Sequence, residues 1–271
     1  MSERIAFIGG GNMASAIIGG LIKQGTSSQR IDVVEPFDQA RDKLLDNFGI
    51  QAQAQAGAAL ASAALVIWAI KPQIFRLAAQ AASPHTRQAL HLSVAAGIRS
   101  DSIATWLGTD RIVRAMPNTP ALIGRGMTGL FARAGVSAPD QARVTQVMAS
   151  TGELIWLEAE EQLDAVTALS GSGPAYVFYF MEAMTTAGVE MGLRRDQAHQ
   201  LAVATFAGAS ELARAASEPP QVLRQRVTSK GGTTCTAISS MEDNDMRALF
   251  IDAMYAARER AKTLGDEFGA G

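Results

Sequence analysis

The sequence predicts an α/β protein: an N-terminal doubly wound parallel sheet followed by an all-helical C-terminal domain. Three observations predict it. Up to residue 160, short apolar runs alternate with amphipathic helical stretches. The runs are continuously apolar rather than alternating, as expected of strands covered on both faces. After Glu161 helical spacing takes over and no further strand is evident.

Residues 5–8 form the first apolar strand, and Gly9 follows at once. Residues 12–24 read as a helix through the spacing of Met13, Ile17, Ile18, Leu21 and Ile22, and residues 25–28 break it. A second strand at 31–34 is stopped by Pro36, and 38–48 is helical. A third strand at 65–70 ends on Lys71-Pro72, before a helix at 74–82. Strands at 89–94 and 111–115 flank a short helix at 98–107. A strand at 124–131, a helix at 139–150 and a strand at 155–157 close the sheet. Right-handed crossovers make such a βαβα order doubly wound. Helices are then expected at 163–192, 195–216, 220–227, 233–241 and 243–264, which divides the chain into domains at 1–160 and 161–271. The second domain is rich in Ala, Met and Phe, including Phe178, Phe180, Met181 and Met184. So apolar a small helical domain is expected to bury surface against another copy of the chain, giving a homodimer.

The composition excludes several classes. A chain of 271 residues, 48% hydrophobic and 18% charged, can bury a sizeable core. A net charge of -2 leaves no surplus cation for a phosphate backbone, so nucleic acid is not an expected partner. Cys235 is the only cysteine, which rules out an intramolecular disulfide and fits a reducing cytoplasm. Met1-Ser2-Glu3-Arg4 leads directly into the first strand without the pattern of a secretory signal. No apolar run reaches the ~18 residues of a membrane span, and no membrane partner is expected. The three histidines, His85, His91 and His199, are scattered, which argues against a zinc site.

Gly9-Gly10-Gly11-Asn12-Met13-Ala14, after Ile8, matches G-x-G-x-x-G/A between the first strand and the first helix, the context that makes the motif meaningful. Gly9 permits the tight turn, Gly11 lets backbone approach a pyrophosphate, and Ala14 keeps the helix close to the strand. The helix start offers unpaired N–H groups to phosphate. The segment is therefore a nicotinamide dinucleotide site in a Rossmann domain, with NADPH or NADH as cofactor. Glu35, ending the second strand, is placed to accept from the adenosine ribose hydroxyls, although Arg41 lies close enough to receive a phosphate. Ala69, Lys71 and Pro72 after the third strand, and Ala95 and Ala96 after the fourth, complete the expected cofactor cleft.

Three more segments are unusual. In Met116-Pro117-Asn118-Thr119-Pro120, two prolines hold Asn118 just after a strand. Gly171-Ser172-Gly173-Pro174-Ala175-Tyr176 interrupts an apolar helix, at a cost of roughly 1 kcal/mol per Gly and about 3 for an interior Pro. Val227-Thr228-Ser229-Lys230-Gly231-Gly232-Thr233-Thr234 places glycines before a helix start, a nest of N–H groups suited to a carboxylate.

With these segments the chain resembles the pyrroline-5-carboxylate reductase family over nearly its whole length, and 227–234 is the most specific part of the likeness. The resemblance implies a Rossmann domain followed by a helical dimerisation domain, and hydride transfer from NADPH or NADH to 1-pyrroline-5-carboxylate to give L-proline. It implies that Gly231, Gly232 and Thr233 bind the substrate carboxylate through backbone N–H groups, and that the Thr234 hydroxyl, with Ser229 nearby, holds the ring nitrogen. It implies interlocked subunits, with each active site using the partner's C-terminal domain, and in some members rings of dimers. It places Asn118 among the cofactor contacts. Two departures concern the cofactor: Gln55-Ala56-Gly57 stands where relatives often carry Asn, and Glu35 where NADPH-preferring relatives carry small polar residues.

The residue supply suits this chemistry. A protonated imine accepts hydride readily, so positioning and electrostatics matter more than a strong acid. Cys235 has no evident His/Asp partner and reads as packing. A hydroxy-acid reductase of similar build would want a catalytic Lys in 163–192, where there is none. A non-catalytic NAD(P) sensor would leave the Gly231–Thr234 nest idle.

Overall fold

The computed structural model describes residues 3–269, so Met1 and Ser2 of the N-terminal stretch, and Ala270 and Gly271, lie outside it. Strands β1 (Arg4–Ile8), β2 (Ile31–Val34), β3 (Ala63–Trp68), β4 (Leu90–Ser93) and β5 (Ile112–Met116) are parallel and ordered β2-β1-β3-β4-β5. Two strands extend the sheet beyond β5: β6 (Gly126–Ala132) and β7 (Gly152–Trp156).

The expected parallel sheet is corrected at one seam, because β6 runs antiparallel to β5, while β7 is parallel to β6. The reason is the length of the connection. Residues 117–125 are too few for the crossover of a dozen or more residues that a parallel partner needs, and they fold as a 3-10 turn over Thr119–Ile123.

The continuous apolar strands reflect two cores, one on each face. Ile5 and Phe7 of β1 join Leu65, Ile67, Ile17, Leu21 and Val144 in one core. Ala6 and Ile8 alternate with them and join Val66, Trp68, Phe75, Ala79 and Ile103 in the other. Helices α1 (Asn12–Lys23), α2 (Asp38–Phe48) and α5 (Ala138–Met148) contribute to the first core, and α3 (Pro72–Ala82) and α4 (Ser100–Leu107) to the second. Local chemistry marks their ends. Pro72 opens α3 at the position where its missing N–H costs nothing. Gly49 and Gly108 close α2 and α4 at φ 66° and 69°. Ser137 and Asp140 form a capping box on α5.

A buried pair in the second core makes stability pH-dependent. Trp68 Nε1 donates to His91 Nδ1 at 3.1 Å, with His91 1% exposed. Burial pulls the His91 imidazole down to about 4, helped by the charge of Arg111 and opposed by a hydrogen bond with the Thr86 backbone. The unfolded chain, where histidine titrates near 6.5, therefore binds a proton that the folded chain refuses. The His91 contribution is complete above pH 6.5 and is lost as pH falls toward 4, by about 3 kcal/mol at pH 4. Urea unfolding at pH 7 and pH 4.5 should show a drop in the native chain that is smaller in His91→Gln. Equal drops in the two proteins would refute it.

The chain divides into two compact units, residues 1–172 with 257–271, and residues 173–256. The first includes α6 (Gln162–Val166), a π-helical turn at Thr167–Gly171, and the C-terminal turns of α11 (Met246–Gly269). Those turns pack by Arg99, whose Nη2 donates to Asp266 at 3.0 Å. The second unit holds α7 (Gly173–Glu190), α8 (Arg195–Ala215), α9 (Pro220–Arg226), α10 (Thr233–Asp243) and the start of α11. The helix expected over 163–192 is thus two helices separated by the π turn. In the second unit α7 and α8 touch closely, since a Cβ on Gly188 would come within 2.8 Å of the Ala198 Cβ. Tyr176 and Phe180 meet Phe250 edge-on at 5.9 and 5.5 Å.

Candidate functional site

The C-terminal ends of the five parallel strands bring the sequence-derived cofactor residues to one edge of the sheet. Ile8 ends β1 and Gly9 follows it, Glu35 follows β2, Ala69 follows β3, Ala95 and Ala96 follow β4, and Asn118 follows β5. The order reverses about β1, with β2 on one side and β3 on the other. A crevice at such a switch point is where open α/β sheets take ligands. Lys71 and Pro72 stand at the start of α3, with Lys71 exposed.

The glycine turn is built for close approach. Gly9 lies at φ 98°, and a Cβ there would come within 2.4 Å of the Ala69 carbonyl oxygen. Gly9 N–H donates to Val34 O at 2.8 Å and Ala69 N–H to Ile8 O at 2.8 Å, stitching the three strand ends together. A Cβ on Gly10 would meet Leu44 at 2.7 Å, whereas one on Gly11 would meet nothing within 4 Å. Gly11 caps α1 without a side-chain hydrogen bond. The first amides of α1, at Asn12 and Met13, therefore have no helical or capping partner, as anion binding requires. This cradle fits a dinucleotide pyrophosphate.

Glu35 is 6% exposed, and its carboxylate is fixed at both oxygens: Oε2 accepts from Gly10 N–H at 2.7 Å and Oε1 from Phe37 N–H at 3.0 Å. Arg41, flagged in the sequence as a phosphate acceptor site, is turned inward. Its Nη1 donates to the Glu35 carbonyl at 2.9 Å and the Pro36 carbonyl at 2.8 Å, and it pairs with Asp38. Beside the glycine turn lies a groove of about 540 Å³ lined by Gly10, Gly11, Asn12, Phe37, Lys43 and Asn47, among others. Lys43 and Asn47 were not foreseen, because only folding lays one face of α2 beside the start of α1. Phe37, just before α2, lines the same groove and is 70% exposed, a large aromatic left on the surface next to a ligand loop.

Asn118 is engaged within the fold. Its Oδ1 accepts from Met127 N–H at 2.9 Å and its Nδ2 donates to Ser170 O at 3.1 Å. It ties the end of β5 to the start of β6 and to the π turn. A π turn at a functional segment is a recurrent device.

In the second unit, the expected substrate residues form one turn at the start of α10. Gly231 has φ 75°, Gly232 caps the helix without a side-chain bond, and Gly232 N–H donates to Ser229 O at 3.0 Å. A Cβ on Gly232 would come within 2.7 Å of Ser229 Oγ. The Thr233 and Thr234 amides open the helix with no helical partner. Thr234 is half-buried and Ser229 exposed. Such a turn can bind a carboxylate through backbone and present one hydroxyl beside it. Among the described residues no three His, Cys, Asp or Glu side chains gather as metal ligands, and no helix is long and apolar enough to cross a membrane.

Comparison with known proteins agrees with this geometry. Residues 160–264 match the family model described as pyrroline-5-carboxylate reductase dimerisation, and residues 4–97 match one described as NADP oxidoreductase coenzyme F420-dependent. The chain is 43% identical to a pyrroline-5-carboxylate reductase of Pseudomonas aeruginosa over 99% of both chains. Its fold matches a pyrroline-5-carboxylate reductase structure from Coxiella burnetii with a TM-score of 0.91 at 37% identity, covering 97% of this chain and 99% of that one. It also matches the Plasmodium falciparum pyrroline carboxylate reductase with NADP bound, with a TM-score of 0.87 at 27% identity, covering 97% and 98%.

Proposed function

The chain belongs to the pyrroline-5-carboxylate reductase family, and we propose that it reduces 1-pyrroline-5-carboxylate to L-proline with NADPH or NADH. The observation that carries the reading is the pairing, in one chain, of the glycine cradle at the sheet's switch point with the uncapped, glycine-led start of α10.

When bound, the reduced nicotinamide supplies the hydride that adds to the imine carbon. The chain's own residues bind and orient. The Gly11, Asn12 and Met13 amides hold the pyrophosphate, Glu35 accepts from the ribose, and Ala69, Lys71, Pro72, Ala95 and Ala96 line the remaining cofactor surface. The amides at Gly231 and Thr233 take the substrate carboxylate, whose negative charge suits a helix N-terminus, while the expected Gly232 amide is turned back onto Ser229 O and shapes the turn instead. The Thr234 hydroxyl keeps the ring nitrogen in register, with Ser229 closing the turn. The nitrogen ends the reaction as an amine, its proton coming from water or through Thr234. Asn118 contributes by fixing the strand end and the π turn rather than by a free amide.

The reading includes a cytoplasmic homodimer or larger ring of dimers. Its support is the dimerisation family of the helical part and the apolar side chains left on the second unit's surface: Phe178 is 63% exposed, Tyr179 70%, Met191 78% and Leu212 70%. Burying surface of that kind is what stable homodimer interfaces do. The single cysteine fits the compartment.

The test is loss of absorbance at 340 nm with freshly made DL-1-pyrroline-5-carboxylate, NADH and NADPH being run in parallel. Decay with stoichiometric proline is expected. No decay with either cofactor, from folded protein that still binds them, would refute the substrate assignment.

A further inference from the structure

Resting on the functional reading above, we propose that this chain selects NADH against NADPH through a locked Glu35 carboxylate, and that Arg41 braces that lock instead of clamping a 2′-phosphate.

Glu35 stands at the end of β2, where a carboxylate meets the adenosine ribose hydroxyls. Its two oxygens each hold a backbone N–H, Gly10 at 2.7 Å and Phe37 at 3.0 Å. Swinging the side chain away to admit a phosphate would unpair both amides at a position only 6% exposed. A carboxylate only accepts hydrogen bonds, and its two oxygens offer about four lone pairs, so the fixed group can still receive a ribose hydroxyl. A 2′-phosphate brings only negative charge to the same place.

A phosphate-binding site would need a free cation there. Both Nη1 protons of Arg41 go to the Glu35 and Pro36 carbonyls, and Asp38 takes Nη2. The guanidinium fork is thereby committed to the backbone that carries Glu35, and its charge is offset by Asp38. The other cation on the neighbouring groove is Lys43, on a flexible stem exposed to solvent. That groove also carries Asp38, and the buried Glu35 carboxylate stands at the adjoining end of β2, so the local charge does not favour a phosphate. The Glu35 lock also has a consequence for the loop: the Gly10 amide is spent, so the pyrophosphate falls to Gly11, Asn12 and Met13.

The test is calorimetric titration of the full chain with NADH and NADPH, without substrate. NADH should bind at least about tenfold more tightly. Glu35→Gln should narrow the ratio, mainly by tightening NADPH. Arg41→Ala should weaken both dinucleotides in proportion, and Lys43→Ala should leave the ratio unchanged. Equal or tighter NADPH binding by the native chain overturns the proposal, and so does a selective loss of NADPH in Arg41→Ala or Lys43→Ala. The native-chain measurement decides even if a variant fails to fold. Binding of neither dinucleotide overturns the functional reading as well, whereas NADPH-selective binding overturns this proposal alone.

Discussion

Replacing Gly9 by alanine should lower the unfolding free energy by about 3 kcal/mol or more and abolish dinucleotide binding. Two independent costs meet at this position. At φ 98° an alanine pays for a backbone conformation that L-residues rarely adopt, and its Cβ would lie 2.4 Å from the Ala69 carbonyl oxygen and 2.7 Å from Ile70 Cγ2. The carbonyl cannot move cheaply, because it belongs to the residue whose N–H is bonded to Ile8 O. The strand ends must therefore separate, and with them the cradle. Gly11→Ala is the informative contrast. Gly11 has φ -73°, and its added Cβ would meet no protein atom within 4 Å, so stability should be unchanged. Any methyl there projects into the approach of a ligand, so dinucleotide affinity should fall by about tenfold or more. Thermal melting and dinucleotide titration of both variants check the pair. A Gly11→Ala protein that binds the dinucleotide normally would remove the close approach on which the cradle rests.

That contrast shows which parts of the site a sequence can carry. The glycine turn was legible because its function and its fold need the same thing, backbone without side chains right after an apolar strand. Strands β1 to β5 were legible because each is covered on both faces, so Ile5 to Ile8 or Leu65 to Trp68 have no polar phase to confuse with a helix. The direction of β6 was not, since apolar content says nothing about polarity. It follows from the nine-residue connection and its 3-10 turn. The break inside 163–192 was visible as Gly171, Gly173 and Pro174, but its form was not. The π turn is held from outside by the Asn118 amide, a contact 52 residues away in sequence. Arg41 shows the same limit in electrostatics. Its nearness to Glu35 suggested a phosphate contact, yet the carbonyls at the end of β2 reach it first. The apolar second unit was legible as a surface in want of a partner because Phe178, Phe180, Met181 and Met184 crowd one small helical domain, and Phe178 and Met184 remain 63% and 42% exposed.

Thr234→Ala should cut kcat/KM by about 10²- to 10³-fold while leaving fold and dinucleotide affinity intact. The residue sits in the first turn of α10, two positions after the Gly232 cap, and is half-buried. Alanine is an excellent helix former, so truncation there costs little stability. The hydroxyl is available for chemistry: Thr236, on the next positions of the same helix, spends its Oγ1 on the Gly232 carbonyl at 3.3 Å, and among the described residues no such bond holds Thr234. The two threonines thus form an internal control. Thr236→Ala removes a structural bond and should change stability slightly with turnover nearly unaffected. Thr234→Ala should do the reverse, and Thr234→Ser, which keeps the hydroxyl, should restore most of the rate. The form of the loss separates the roles further. If the hydroxyl only anchors the ground-state ring, KM rises with kcat preserved, and if it steadies the nitrogen as its charge changes during hydride addition, kcat falls as well. Because the carboxylate is held by backbone amides that no side-chain substitution removes, the second pattern is the expected one. Equal losses in Thr234→Ala and Thr236→Ala would show that the start of α10 matters to the reaction only as structure.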